Sequence, residues 1–449
     1  MTEALKQTAQ LVVERARKKG ASAADAFIRE DETFSVTVRR GEVEKLKEAV
    51  SRSLRLRVFL GKRTATSQTS DLSPAVVEKL VDESVEMARL TSEDDSSGLP
   101  DEAAYPKDIP DLQLADSAWD TLGPAQRIEL ARQAEAASFA ASAAITNSSG
   151  GTFEFERSRT VLGNTLGFLG AYEGTGAYLI SAPIAEANGA MQQDYWFSVA
   201  RHRDQLDSPE HVGRIAAQRA LRRLGARKVK TSQVPVIFDP LTARTLVKHI
   251  FDAVSGDAIY RHRSFLVGQI GQRVAGENVT IVDDARRIGG LGSCPFDDEG
   301  VTSQTTSVIE QGVLRNYLHS AYTARKLSAC PTGNGSRTGT GSISVGPTNF
   351  YLKPGPPAPE EIIASVREGL YVIELIGFGV NTVNGDYSRG VTGLWIKDGK
   401  FAYPVHEVTI AGNLQEMLQD IEMIGNDITF MGSVAAPTLK IRKMTLSGE

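Results

Sequence analysis

The strongest constraint on the fold is a period-two alternation near the start of the chain. Phe34, Val36 and Val38 form one run, and Leu54, Leu56, Val58 and Leu60 form another. Successive side chains of a strand point to opposite faces, so both runs read as half-buried antiparallel strands with Arg55 and Arg57 on the wet side. Two amphipathic helices frame them. Over 3–19, Leu5, Ala9, Val12, Val13 and Ala16 recur at three- and four-residue spacing, with Thr2 placed to cap the helix and Gly20 to end it. Ser73-Pro74 opens the second helix, with Val77, Leu80, Val81, Ser84 and Ala88 on one face.

From 92 to 116 three prolines and many acids mark a loop or linker. A helix from 124 to about 138 follows, then strand-like stretches near 152–161, 171–183 and 192–200, then a helix over 209–224 capped by Asp207-Ser208. Helix, strands and helix thus occur twice, which suggests a structural repeat without a residue-level one. Val234 to Phe238 reads as a short buried strand. Asp239-Pro240 then opens a helix to about Val254, with Ala243, Leu246, Val247, Ile250, Phe251 and Val254 inward. Downstream the chain is rich in strands and glycine. The expected class is α+β, helices packed on antiparallel sheets, in three units: 1–115, 116–230 and 231–449.

A net charge of −5 gives no global field for nucleic acid, so that partner is not expected. Two cysteines, Cys294 and Cys330, make no disulfide framework and no zinc-finger or iron–sulfur set, and point to a reducing compartment. No basic-then-apolar leader opens the sequence and no run of 18 apolar residues occurs, so a cytoplasmic protein without a membrane association is expected.

Familiar catalytic motifs are missing. His406-Glu407 is followed by Ile410 and Ala411, so neither HExxH nor HExxxH is completed. The glycines from Gly333 to Gly339 are spaced one residue too long for a dinucleotide fingerprint and read as a flexible loop. Asp283-Asp284 and Asp297-Asp298-Glu299 could hold a hard cation, but capping turns or pairing with cations is the ordinary use of such acids. His249, beside Ile250 and Phe251 on the inner helix, reads as a satisfied core or interface histidine. The run Arg219, Arg222, Arg223, Arg227, Lys228 and Lys230 reads as a solvated helix face and its exit.

Six stretches together carry a resemblance: PVIFDP (235–240), SFLVGQIGQRV (264–274), SCPFDDEGV (293–301), GVLRNYLHSAYTARKLS (312–328), GVNTVNGDYSRGVTGLWIKDGK (379–400) and YPVHEVTIAGNL (403–414). The ensemble resembles the TldD/PmbA family, and within it the PmbA (TldE) branch. The resemblance implies a dimer in which a TldD-type subunit carries zinc on an HExxxH helix and a later cysteine, and degrades short or unfolded peptides or matures peptide precursors. The helix LTARTLVKHIFDAV of this chain stands in the corresponding place without that pair, and Glu374 stands where the other branch has its cysteine. The implied reading is a chain with no catalytic and no metal-ligating residues of its own and no cofactor, zinc being expected only on a TldD-type partner. That partner, or a second copy of this chain, would complete the dimer around a peptide.

Within GDYSRG, a surface hairpin needs only Gly385 and Asp386, so Tyr387 and Arg389 are surplus to the turn. Either Asp386 and Arg389 form a local ion pair with Tyr387 in the core, or the segment borders an inter-subunit chamber. Glu374, Asp386, Tyr387, Arg389 and His249 are therefore the candidates for a peptide channel or interface. A homodimeric hydrolase with another mechanism, and a non-enzymatic regulator of the gyrase-modulator type, stay open beside the partner-subunit reading.

Overall fold

The computed structural model describes residues 2–449. The first half contains α1 (Thr2–Lys18), β1 (Ala23–Arg39), β2 (Glu42–Leu60), β3 (Arg63–Thr69), α2 (Pro74–Leu90), α3 (Pro124–Ala140), β4 (Ile145–Asn164), β5 (Leu169–Ala187), β6 (Ala190–Gln193), β7 (Trp196–Ala200) and α4 (Pro209–Leu221). Thr2 is the first residue of α1 rather than its cap. Gly20 ends the helix as expected, at φ +98°, while Ala21 N–H reaches back to the Ala16 carbonyl.

These strands form one antiparallel sheet in the order β3-β2-β1-β4-β5-β6, with β7 also paired to β5. The two helix–strand–helix units therefore share a sheet, joined where β1 pairs with β4 from Asp25–Asn164 to Val38–Gly151. At ~3.4 Å per residue, the 17 residues of β1 run roughly 55 Å, long enough to lie under both helix pairs. Ala24, Ala26 and Ile28 pack under α1 and α2, and Phe34, Val36 and Val38 pack under α3, α4 and Trp119. All of these are even-numbered residues and so share one face.

The odd-numbered face is not wet, which corrects the expectation for Arg57. That face is covered by the second half of the chain: Phe27 and Leu162 pack on Phe296. Arg57 is 6% exposed, donates to Asp25 Oδ2 at 2.9 Å and to Glu299 Oε1 at 3.0 Å, and Arg337 donates to the other Asp25 oxygen at 2.6 Å. Period-two alternation distinguishes the two faces of a strand, but not whether another domain lies on the polar one.

The second half runs β8 (Ser232–Phe238), α5 (Pro240–Val254), β9 (Ile281–Asp284), β10 (Thr305–Glu310), β11 (Val313–Leu314), β12 (Gly335–Arg337), β13 (Ile343–Val345), β14 (Phe350–Leu352), β15 (Glu368–Ile376), β16 (Asp386–Lys397), β17 (Lys400–Asn413), β18 (Ile421–Ile424), β19 (Val434–Ala435) and β20 (Leu439–Ser447), with short helices between. One sheet is ordered β17-β16-β15-β8-β20-β18, and β17 also pairs with β20, so five strands close on themselves. A second sheet is ordered β11-β10-β9-β14-β19. The inner face of α5 packs with residues of both sheets in the largest core cluster, and Phe251 stands edge-on to Phe350 at 5.4 Å. The architecture is α+β with mainly antiparallel sheets.

One further expectation changes. The glycines from Gly333 hold a strand, β12 paired with β13, instead of a free loop; Gly335 N–H donates to Asp297 Oδ2 at 2.7 Å. The acidic run is spent on turns and ion pairs, Asp297 also accepting from the Glu299 and Val301 amides. The 92–116 segment lies as a strap on the second half, where Arg325 donates to the Ser96 and Gly98 carbonyls.

Candidate functional site

α5 is held at its start by Asp239, whose side chain accepts from the Thr242 amide at 2.8 Å and the Thr242 hydroxyl at 2.9 Å. β8, which leads into it, pairs in parallel with β15, and β15 pairs with β16. The five sequence candidates meet around this α5–β15–β16 corner, four of them lining two cavities. Glu374 and Arg389 line one of about 490 Å³, together with Asp194, Arg219, Arg223 and Arg244. Asp386 and Tyr387 line the other, of about 460 Å³, beside Phe378. His249 stands edge-on to Tyr387 with ring centroids 6.4 Å apart.

The expected Asp386–Arg389 pair does not form, for a geometric reason. β16 already begins at Asp386, so residues 386 and 389 point to opposite faces. Asp386 accepts instead from Asn384 Nδ2 at 2.6 Å, and Arg389 Nε donates to the Ile376 carbonyl at 3.2 Å. Tyr387 is in the core at 1% exposure, yet its hydroxyl has no hydrogen-bond partner; burial pushes its ionisation well above the usual phenol range. His249 is not satisfied either, since its Nε2 is buried without a partner. Burial lowers its pKa and outweighs the opposing attraction of Asp252, with Arg389 and Lys248 adding to the lowering, so the neutral ring is favoured.

The basic run is the largest departure from the sequence reading. Arg219 and Arg223 lie four residues apart on α4 and its exit, Arg219 buried and Arg223 partly buried against the second half of the chain. Arg219 reaches Asp194 and Asp239, both at 3.4 Å. Arg223 reaches Glu374 at 2.5 Å and Asp194 at 3.7 Å. Arg222 is also enclosed, and burial lowers its pKa. Two of these cavity residues, Arg244 and Asp194, drew no attention in the sequence. The available signal was the i, i+4 spacing of Arg219 and Arg223 beside Ala216, Ala217 and Ala220, which places cations on a helix face of small, buriable residues.

A third cavity, about 420 Å³, opens between the odd-numbered sheet face and the second half, lined by Arg29, Tyr172, Arg201, Cys294 and Asp298 among others. Burial pushes the Cys294 thiol up to about 12, the opposite of what a nucleophilic cysteine needs. Cys330 is exposed, and both cysteines are free.

A zinc ion needs three or four imidazole, thiolate or carboxylate ligands. Among the described residues no group of three His, Cys, Asp or Glu side chains is disposed to hold a metal. At α5, His249 faces Tyr387, and Glu374 is engaged by Arg223. Among the described residues no helix is long and apolar enough to cross a membrane.

The fold and this corner define a class with known relatives. Family models for domain 1, the central domain and the C-terminal domain of PmbA/TldA metallopeptidases match residues 24–88, 118–224 and 231–448. The metalloprotease PmbA of Escherichia coli O157:H7 is 36% identical over 93% of this chain and 90% of its own length. This chain belongs to the PmbA/TldD metallopeptidase family. A crystal structure from Bacteroides thetaiotaomicron, described as a candidate modulator of DNA gyrase, superposes with a TM-score of 0.92 at 25% identity, covering 99% of each chain. TldE from Thermococcus kodakarensis shares the fold, with a TM-score of 0.90 at 22% identity over 98% of this chain and all of the other.

Proposed function

We propose that this chain is the TldE-type subunit of a two-subunit metallopeptidase, shaping and gripping a peptide while a zinc-bearing TldD-type partner cleaves it. The observation that carries the reading is the α5–β15 corner. There Glu374 is tied to Arg223 and His249 is turned to Tyr387, so the corner offers polar grip without a metal-ligand set. Hydrolysis at a zinc centre needs a metal-activated water and a base, and both would come from the partner. Residues of this chain would bind and orient: Arg389 faces its cavity with only a carbonyl partner. The loop beside it exposes Ile376, Phe378 and Val383, Phe378 completely, an apolar surface suited to covering by a subunit.

Peptide hydrolysis should require this chain and a zinc-loaded TldD-type subunit together. Cleavage of an unfolded peptide by this chain alone would overturn the proposal, as would a partner whose rate is unchanged by its addition. A pulldown of gyrase with no peptidase activity in any combination would favour the regulator reading.

A further inference from the structure

The 490 Å³ cavity has an uneven charge pattern. Four guanidinium groups line it, from Arg219, Arg223, Arg244 and Arg389, against two carboxylates, Asp194 and Glu374. Arg219 and Arg223 are set against these carboxylates, Arg219 bonding Asp194 Oδ1 and Arg223 bonding Glu374 Oε2. Among the described residues, Arg244 and Arg389 are paired with no carboxylate; each donates to one backbone carbonyl, Met431 at 3.3 Å and Ile376 at 3.2 Å. The same cavity has the complementary shortage. Asp194 is 5% exposed, and among the described residues its Oδ2 accepts no hydrogen bond, the nearby Arg223 Nη1 standing 3.7 Å away. A buried charged oxygen without a donor is costly, and a half-exposed guanidinium with one carbonyl partner keeps donors free for an anion.

One cavity thus offers spare donors for an anion and a spare acceptor for an N–H. We propose that it binds the C-terminal residue of a peptide, with the α-carboxylate between Arg244 and Arg389 and the last backbone N–H donated to Asp194 Oδ2. The planar fork of arginine matches a carboxylate. A phosphate carries no N–H for Asp194 and would crowd both wall carboxylates with added charge. The volume lies within the roughly 300–1,000 Å³ usual for small-ligand sites. This deepens the peptide-handling reading and rests on it.

The test titrates the full chain, alone, with N-acetyl-trialanine as the free acid and as the C-terminal amide, followed by calorimetry. The acid should bind at least tenfold more tightly than the amide. Arg244→Gln and Arg389→Gln should each weaken the acid about tenfold and leave the amide as it was, with melting temperatures retained. Equal binding of acid and amide, or no binding of either, overturns the site, and the wild-type comparison alone decides this. Free alanine binding as tightly as the tripeptide would make it an amino-acid site, and tighter binding of inorganic phosphate an oxyanion site; either overturns the peptide end. If acid and amide bind alike while the paired subunits still cleave peptide, the carboxylate site fails and the partner-subunit reading stands. The reverse pattern sinks the partner reading alone.

Discussion

Arg389 shares a face of β16 with Tyr387, and both His249 and Tyr387 feel its charge. Its side chain is half-exposed and bonded only to the Ile376 carbonyl, so little folding energy depends on it. Losing one charge-assisted hydrogen bond to a peptide costs about 1.5–3 kcal/mol. Arg389→Ala should therefore lower peptidase activity of the reconstituted pair about ten- to a hundredfold with nearly unchanged melting temperature. Full activity, or a melting loss that tracks the activity, would make the residue structural. Asp283 makes a different kind of prediction. Burial lifts its carboxyl to about 6, against hydrogen bonds from Asn334 and Thr348 that favour the charge. The folded state then holds this proton more tightly than the unfolded chain, so stability falls as pH rises from about 4 through 6. The stability of wild type relative to Asp283→Asn should shrink across that window in pH-resolved thermal melts; a constant difference would contradict it. Of these residues, GDYSRG stood out in the sequence because it exceeds what a turn needs. Arg244 did not, because an arginine in a helical segment looks like any solvated one.

At the scale of elements, helices were legible from their three- and four-residue spacing and their capping residues, as with Asp239 and Gly20. The close approach of α3 to α4 was not. A Cβ on Gly213 would lie 2.3 Å from the Ala134 carbonyl oxygen and 2.7 Å from Ala137 Cβ. Alanine normally improves a helix interior by roughly 0.5–1 kcal/mol over glycine. Here the contact reverses the sign, because a forced separation of packed helices costs typically 1–3 kcal/mol. Gly213→Ala should lower the urea midpoint without changing the slope of the transition; a raised midpoint would show that α3 gives way freely. The strands show the same division. Their alternation was readable, but the arginines on the second face looked solvated because nothing local announces a covering domain.

Across the whole molecule, the two halves are joined by buried charge as well as by Phe27, Leu162 and Phe296. Burial by itself would raise the Asp25 pKa, but Arg337 and Arg57 outweigh it and lower it. The junction is thus stabilised above the ordinary carboxylate range and loses that contribution as pH falls through the depressed value. Removing one partner from such a pair is expected to cost about 3–5 kcal/mol, because the remaining charges stay buried. Arg57→Ala should lower the melting temperature and separate the unfolding of the two halves in calorimetry. A single unshifted transition would mean that apolar contact alone holds them together.

The sequence by itself determined the class of fold, the positions of the main helices and the family, because periodicity, caps and extended motifs are local or linear signals. Only the tertiary structure decided which polar residues are buried and with whom. Arg57 meets Glu299 across 242 positions, and Arg223 meets Glu374 across 151. Arg244 and Asp194 line one cavity only after α5 and the β6–β7 turn are brought together. A side chain's charge is written in the chain, but its partner and its exposure to water depend on distant segments, and those determine its chemistry.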